Sequence, residues 1–299
     1  MPEETKTSNG LLEPDFLKRL ERLAIACKKA QLGMTKGERP SRRKGSSIEF
    51  ADYRDYVQGD DLRFVDWNIF GRLDSLYLKL FRDQEDLTLH LMIDASKSMS
   101  FGNPRKLEFA CKMAAALGYI ALVGYDRITA EAFMGDTSVR LPNCRGKAAG
   151  GKLFAFLEGI EASGITSLEE DCRSYVIRNR SKGVAILFTD FFDPEGYEGC
   201  LRRLMQSGSE LYVVHVLAPE EIDPEVMGDL KLVDCETQTF SEISMSPALL
   251  KRYKKNRDAF CEEIRRFCVS RNIGYFLAPS NAPVEQLTLD VLRKGGLVR

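Results

Sequence analysis

The strongest constraint on this chain is a recurrence of short, wholly apolar runs, each followed by a segment of helical period. Residues 87–93 (LTLHLMI), 184–188 (VAILF) and 210–217 (ELYVVHVL) are such runs. Their length and unbroken apolarity predict strands buried on both faces. A helix is predicted after the first run, opened by Asn103 as cap and Pro104 at its first position. Its apolar face is Leu107, Ala110, Cys111, Ala114, Gly118, Ala121 and Leu122. Small residues on that face permit close packing on a sheet. Further strands are expected at 128–133, 138–141 and 274–278, with a hairpin in 230–246. Helices are expected at 152–160, 168–179, 195–206, 249–268 and 284–293. This alternation predicts an α/β fold, a doubly wound and mostly parallel sheet between two helical layers. Ligands of such sheets sit at the carboxyl ends of the strands, where strand order reverses.

The first 86 residues read differently. Phe16, Leu17, Leu20, Leu23, Ala24 and Cys27 recur at helical spacing within 14–32. Residues 33–48 form a loop carrying Lys36, Arg39, Arg42, Arg43 and Lys44. Residues 49–86 are dense in charge and aromatics, and only 77–81 alternates clearly as a strand. We therefore expect a smaller N-terminal subdomain over 1–86 and the α/β domain over 87–299.

Composition removes several functions. Lys and Arg number 43 against 44 Asp and Glu, a balance that speaks against a nucleic-acid partner. No run approaches the ~18 apolar residues of a membrane span, and the polar, acidic start lacks the pattern of a secretory signal. The eight cysteines form no CxxC pair and there are two histidines. A structural zinc site is not expected, and the thiols read as reduced in a cytoplasmic protein. No Walker loop, GxGxxG or nucleophile elbow occurs. His90 and His215 lie inside strand runs and read as satisfied strand residues. The basic helix from Lys251 reads as ordinary amphipathicity.

The chemistry gathers at strand ends. The first run leads directly into Asp94-x-Ser96-x-Ser98. Thr166 lies in the loop Ser163-Gly164-Ile165-Thr166-Ser167, and Asp190 follows the run at 184–188. Three loops on one sheet edge thus supply two carboxylates and three hydroxyls. These hard oxygen donors suit Mg²⁺, with Mn²⁺ or Ca²⁺ as alternatives. The plainer reading is that the aspartates and serines cap strand-to-helix turns.

With Thr166 and Asp190 in order after it, Asp94-x-Ser96-x-Ser98 resembles the metal-ion-dependent adhesion site of von Willebrand factor A domains. Gly59-Asp60-Asp61-Leu62-Arg63-Phe64-Val65-Asp66-Trp67 resembles the signature of the bacterial "domain of unknown function 58" family, as do Ser41, Gly45, Glu49-Phe50 and Arg54-Asp55-Tyr56. In that family the signature precedes a von Willebrand A-like domain of Rossmann type. The resemblance implies a metal held by Asp94, Ser96, Ser98, Thr166 and Asp190. It also implies a partner protein that supplies an acidic residue, a MoxR-type AAA+ ATPase or its client, with the chain acting as a non-enzymatic adaptor. The alternative is a metal-dependent hydrolase using the same carboxylates. Asp52, Asp55, Asp60, Asp61 and Asp66 interleave with Arg54, Arg63 and Arg72, which reads as a salt-bridged scaffold that pins the N-terminal subdomain against the α/β domain, with a second binding or catalytic site as the alternative. The oligomeric state is not set by the sequence.

Overall fold

The apolar runs become the centre of a six-stranded sheet. The computed structural model describes residues 11–22, 48–83, 88–135, 137–165, 167–179, 181–225, 228–233 and 239–294. It divides into two compact units, Gly33–Asp86 and the remainder.

In the larger unit the strands are β3 (Thr88–Asp94), β4 (Arg127–Met134), β5 (Thr137–Arg145), β6 (Val184–Thr189), β7 (Glu210–Leu217) and β10 (Gly274–Pro279). Across the sheet they run β10-β7-β6-β3-β4-β5. All neighbours pair in parallel except β4 and β5, which are antiparallel. This is the doubly wound order, and its reversal falls between β3 and β6.

Successive side chains of each central strand enter opposite layers, as the pleat requires. Leu89, Leu91 and Ile93 join the core under α3 (Lys106–Val123), α4 (Gly150–Glu158) and α9 (Val284–Lys294). Met92 joins the core under α5 (Leu168–Arg178), α6 (Glu198–Met205) and α8 (Pro247–Val269). Ile186 and Phe188 of β6 face the first layer, and Ala185 and Leu187 the second. Each such large apolar side chain contributes roughly 1.5–3 kcal/mol by leaving water. Nearly all of α3 is buried. Gly118 makes its close approach possible, because a Cβ there would stand 2.7 Å from Leu153 Cδ2 and 3.0 Å from Leu91 Cδ1.

Three sequence expectations are corrected. Asn103 and Pro104 do not open α3. They lie in a preceding turn, and the N-cap is Arg105, with no side-chain cap hydrogen bond. Its first-turn backbone is served by the chain itself, Lys106 N–H donating to Phe101 O at 3.1 Å. The second correction concerns the boundary at residue 87. Residues 14–22 are helical (α1) and belong with the sheet, not with the signature segment. The reason is packing: Leu12, Phe16 and Leu20 are buried in the α3 layer, and Glu21 accepts the Tyr119 hydroxyl at 2.7 Å and pairs with Lys147 at 2.8 Å. Finally, the strand expected at 138–141 is longer, because β5 pairs with the whole of β4.

The hairpin expected in 230–246 is β8 (Gly228–Val233) with β9 (Phe240–Met245), antiparallel. Between β7 and β8 lies a four-residue helix, α7 (Pro219–Ile222). The basic loop residues 36–44, and Leu23, Ala24 and Cys27, lie outside the described residues. Both histidines are satisfied as expected. His90 meets Thr129 Oγ1 at 2.8 Å and Ser181 O at 3.2 Å, and His215 meets Tyr275 Oη at 2.8 Å and Asp190 O at 3.0 Å.

The smaller unit pairs β1 (Ile48–Asp55) antiparallel with β2 (Tyr77–Asp83) and carries α2 (Trp67–Leu73) between them. Its signature residues hold it together. Arg54 forks onto Asp60 with two contacts of 2.7 Å. Asp66 caps α2 through the Asn68 and Ile69 N–H groups, and also receives the Tyr53 hydroxyl and the Lys79 ammonium, both at 3.0 Å. The Lys79 ammonium is the main reason its pKa lies near 2. Two ion pairs of the Asp-Arg pattern, Arg54 with Asp60 and Arg63 with Asp61, thus form within this unit.

Candidate metal centre

The reversal of strand order brings Asp94 and Asp190 together. Ile93 pairs with Phe188, so Asp94 at the end of β3 lies beside Thr189, the last residue of β6, and Asp190 follows at once. Asp94 is buried. Its Oδ1 accepts the Ser96 N–H at 3.0 Å, and its Oδ2 accepts the Thr189 hydroxyl at 2.7 Å. Ser96 and Ser98 are buried with their Oγ atoms 3.0 Å apart. The turn at the strand end thus sets the Ser96 N–H on the Asp94 carboxylate and the Ser96 and Ser98 hydroxyls against each other.

Burial, and then the neighbouring Asp190 carboxylate, push the Asp94 pKa up to about 6. The Thr189 hydroxyl and Ser96 pull the other way and are outweighed.

The loop of Thr166 reaches the same turn. Ser163 N–H donates to Ala95 O at 2.8 Å, and Lys97 N–H donates to Gly164 O at 3.3 Å. Gly164 has φ +77°, and a Cβ there would lie 2.4 Å from Met134 O, so this approach requires glycine. Thr166 itself lies outside the described residues. The structure therefore brings together Asp94, Ser96, Ser98 and Asp190 and leaves the fifth position undescribed.

Asp190 is held on both oxygens. Oδ1 accepts the Phe192 N–H at 3.0 Å, and Oδ2 receives the Lys106 ammonium at 2.7 Å. Phe191 adopts φ +57°, an uncommon conformation for a bulky residue, and its N–H donates to Thr189 Oγ1 at 3.1 Å. Backbone strain of this kind gathers at functional sites. The Lys106 ammonium also contacts Glu221 Oε1 at 2.6 Å, and Glu221 accepts the Ala218 N–H at 2.7 Å. Burial alone would favour the neutral amine, but Asp190 and Glu221 outweigh it and raise the Lys106 pKa.

Sequence reading missed Thr189, Lys106 and Glu221. In the structure Lys106 is the first residue of α3, where the helix dipole disfavours a cation. A lysine kept at that end needs carboxylates beside it.

The donor set fits a hard divalent cation. Its oxygens are carboxylate and hydroxyl, as Mg²⁺ prefers. Among the described residues no three His, Cys, Asp or Glu side chains gather. The present cluster holds two carboxylates and draws its other donors from serine.

The fold and site define a doubly wound α/β protein with a buried cluster of carboxylate and hydroxyl side chains where strand order reverses. Residues 52–261 match the family described as "Protein of unknown function DUF58", and the chain belongs to that family. It is 25% identical over 266 residues to the uncharacterized protein Rv1480 of Mycobacterium tuberculosis, covering 85% of this chain and 81% of that one. Two solved structures are similar to this chain. The conserved hypothetical protein BatB of Bacteroides thetaiotaomicron gives a TM-score of 0.42 at 17% identity, covering 70% of this chain and 99% of that one. An aerotolerance-related membrane protein of Bacteroides fragilis gives 0.45 at 16%, covering 71% and 99%. No helix among the described residues of this chain is long and apolar enough to cross a membrane.

Proposed function

We propose that this chain is a divalent-metal-dependent protein-interaction module whose site is of the von Willebrand A type, with Mg²⁺ as the ion. The observation that carries the reading is the convergence of Asp94, Ser96 and Ser98 beside Asp190 in the strand-reversal crevice. Asp94 and Asp190 would be the anionic ligands, with Ser96 and Ser98 as neutral ones and Thr166 as a fifth from the adjoining loop. The ion would supply a coordination position for a carboxylate of a partner protein. Ser96 N–H and the Thr189 hydroxyl orient the Asp94 carboxylate for this role. In keeping with the family resemblance, the partner is a MoxR-type AAA+ ATPase or its client, and the chain works as an adaptor in assembly or remodelling of protein complexes.

The hydrolase alternative needs a general base beside the same carboxylates. The nearest histidine is His215. Its ring nitrogens are engaged by Tyr275 and Asp190 O, and burial holds its pKa down to about 4. No observation favours that reading.

The test is calorimetric titration of the chain with Mn²⁺, beside the Asp94→Ala variant. Wild type should bind one equivalent and the variant none, with unchanged circular dichroism. Equal binding by both proteins would remove the site from this crevice. Capture of a MoxR-type ATPase should require both Asp94 and the metal.

A further inference from the structure

The layer that α5 and α6 share carries a thiol pair that the metal-site reading does not use. Cys172 lies on the inward face of α5 between Leu168 and Tyr175, and Cys200 lies on that of α6 beside Leu201 and Leu204. Both are fully buried, and their Sγ atoms stand 2.7 Å apart. Among the six described cysteines this pair alone has its sulfurs in contact. A buried free cysteine ordinarily serves as a small apolar residue, and that role does not call for two sulfurs facing each other. The two helices are tied together beside the pair. Leu168 N–H donates to Asp193 Oδ2 at 2.7 Å, on the segment leading into α6, and Arg203 of α6 meets Glu169 of α5 at 3.4 Å. The fold thus places the thiols within a side-chain adjustment of the ~2.05 Å of a bonded pair.

We propose that Cys172 and Cys200 form a reversible disulfide that staples α5 to α6 when a peroxide reaches them. In the first step one sulfur, deprotonated as it reacts, attacks hydrogen peroxide. An S–O bond forms, the O–O bond breaks, and the departing hydroxide leaves with the thiol proton as water. In the second step the neighbouring sulfur attacks the sulfenic acid. The S–S bond forms, the S–O bond breaks, and the second hydroxide takes the second thiol proton. Two thiols are oxidised and one peroxide is reduced to two waters. Contact between the sulfurs lets the second step outrun further oxidation of the sulfenic acid. The first step is slower. Burial, and then the hydrogen bond with Cys200, raise the Cys172 pKa well above the ordinary thiol value, so attack waits for local opening of the two helices. An added dithiol reverses the cross-link by exchange. The inference stands apart from the metal-site reading.

The experiment treats the full chain with hydrogen peroxide under conditions that leave its circular dichroism unchanged. Remaining thiols are blocked with iodoacetamide, and the peptides are mapped by mass spectrometry without reductant. The expected product joins the peptides of Cys172 and Cys200 with the loss of two hydrogens, and dithiothreitol removes it. The two residues stand 28 positions apart, so the cross-link should raise the melting midpoint by about 5 °C or more. Cys172→Ala and Cys200→Ala should show no such rise. The proposal is overturned if both thiols stay reduced while the half-buried Cys144 and Cys261 are modified. Sulfinic acid at either position also overturns it, because a thiol in contact would have intercepted the sulfenic acid first. A cross-link that leaves the midpoint unchanged or lowered overturns the staple. Where neither alanine variant folds, the rise in wild type and its loss on adding dithiothreitol decide.

Discussion

The signature unit and the sheet edge both set carboxylates against cations, but at opposite degrees of exposure. In the signature, Arg63 pairs with Asp61 at 2.6 Å while their side chains are 79% and 41% exposed. At the sheet edge, Lys106 pairs with Asp190 at 2.7 Å with side chains 1% and 0% exposed. Contact distance hardly distinguishes them, whereas solvent does. Water and salt screen the first pair, and two long side chains must be ordered to form it. The second is unscreened, so removing one partner strands the other in a dry site. Similar geometry therefore serves as local trim in one unit and as an obligatory fixture in the other.

The contrast can be broken most severely at Asp190. Asp190→Ala should cost about 3 kcal/mol in urea unfolding, because Lys106 is left with Glu221 alone. A cost below about 1 kcal/mol would mean that the buried pair behaves like a surface one.

The next effect is one of pH and carries a definite sign. In the EDTA-treated protein, folded Asp94 takes up its proton near pH 6, above the ordinary 3.8. Wild type should therefore gain stability relative to Asp94→Asn as pH falls from about 6 to about 4, by about 2 kcal/mol. His215, held down to about 4, loses stability over the same window in both proteins and cancels in the difference. A pH-independent difference would refute the raised pKa that burial, and then the neighbouring Asp190, give Asp94.

The smallest effect belongs to the signature. Arg63→Ala should leave the melting temperature at neutral pH unchanged within error. The signature carboxylates carry the opposite sign to Asp94. Asp61, lowered by Arg63, and Asp66, lowered by Lys79, both lie near 2. Their contribution is present above pH ~4 and is lost as pH falls through about 2. Amide exchange in α2 should quicken over that range while the central strands remain protected.

The same contrast explains what the sequence reveals. Strands β3, β6 and β7 are legible because burial on both faces leaves no alternative to apolar residues. The D-x-S-x-S turn is legible because chain order puts it at the end of such a strand. The signature unit is harder: its order comes from Asp66 serving two backbone amides, a tyrosine and a lysine at once, and no periodicity encodes that. A cap at Asn103 is the wrong expectation because the turn over 102–105 satisfies the backbone before the helix begins. Lys106 and Glu221 stand 115 positions apart and meet only through the fold. Neither belongs to a motif, and a pattern of types and spacings gives no account of a side chain whose partner lies on another strand end.

The sheet has an outer margin at β5. This strand runs antiparallel to β4, shifts register between Ile128 and Ala130, and contains Pro142 together with Arg140 and Arg145. A proline offers no N–H to an incoming strand, arginines resist close stacking of copies, and a bulge bends the ladder away from flatness. A sheet of six strands would otherwise offer that margin as a template. Here the last strand on that side acts as a terminator, and a crowded solution of this protein has a poor surface there on which to begin a fibril.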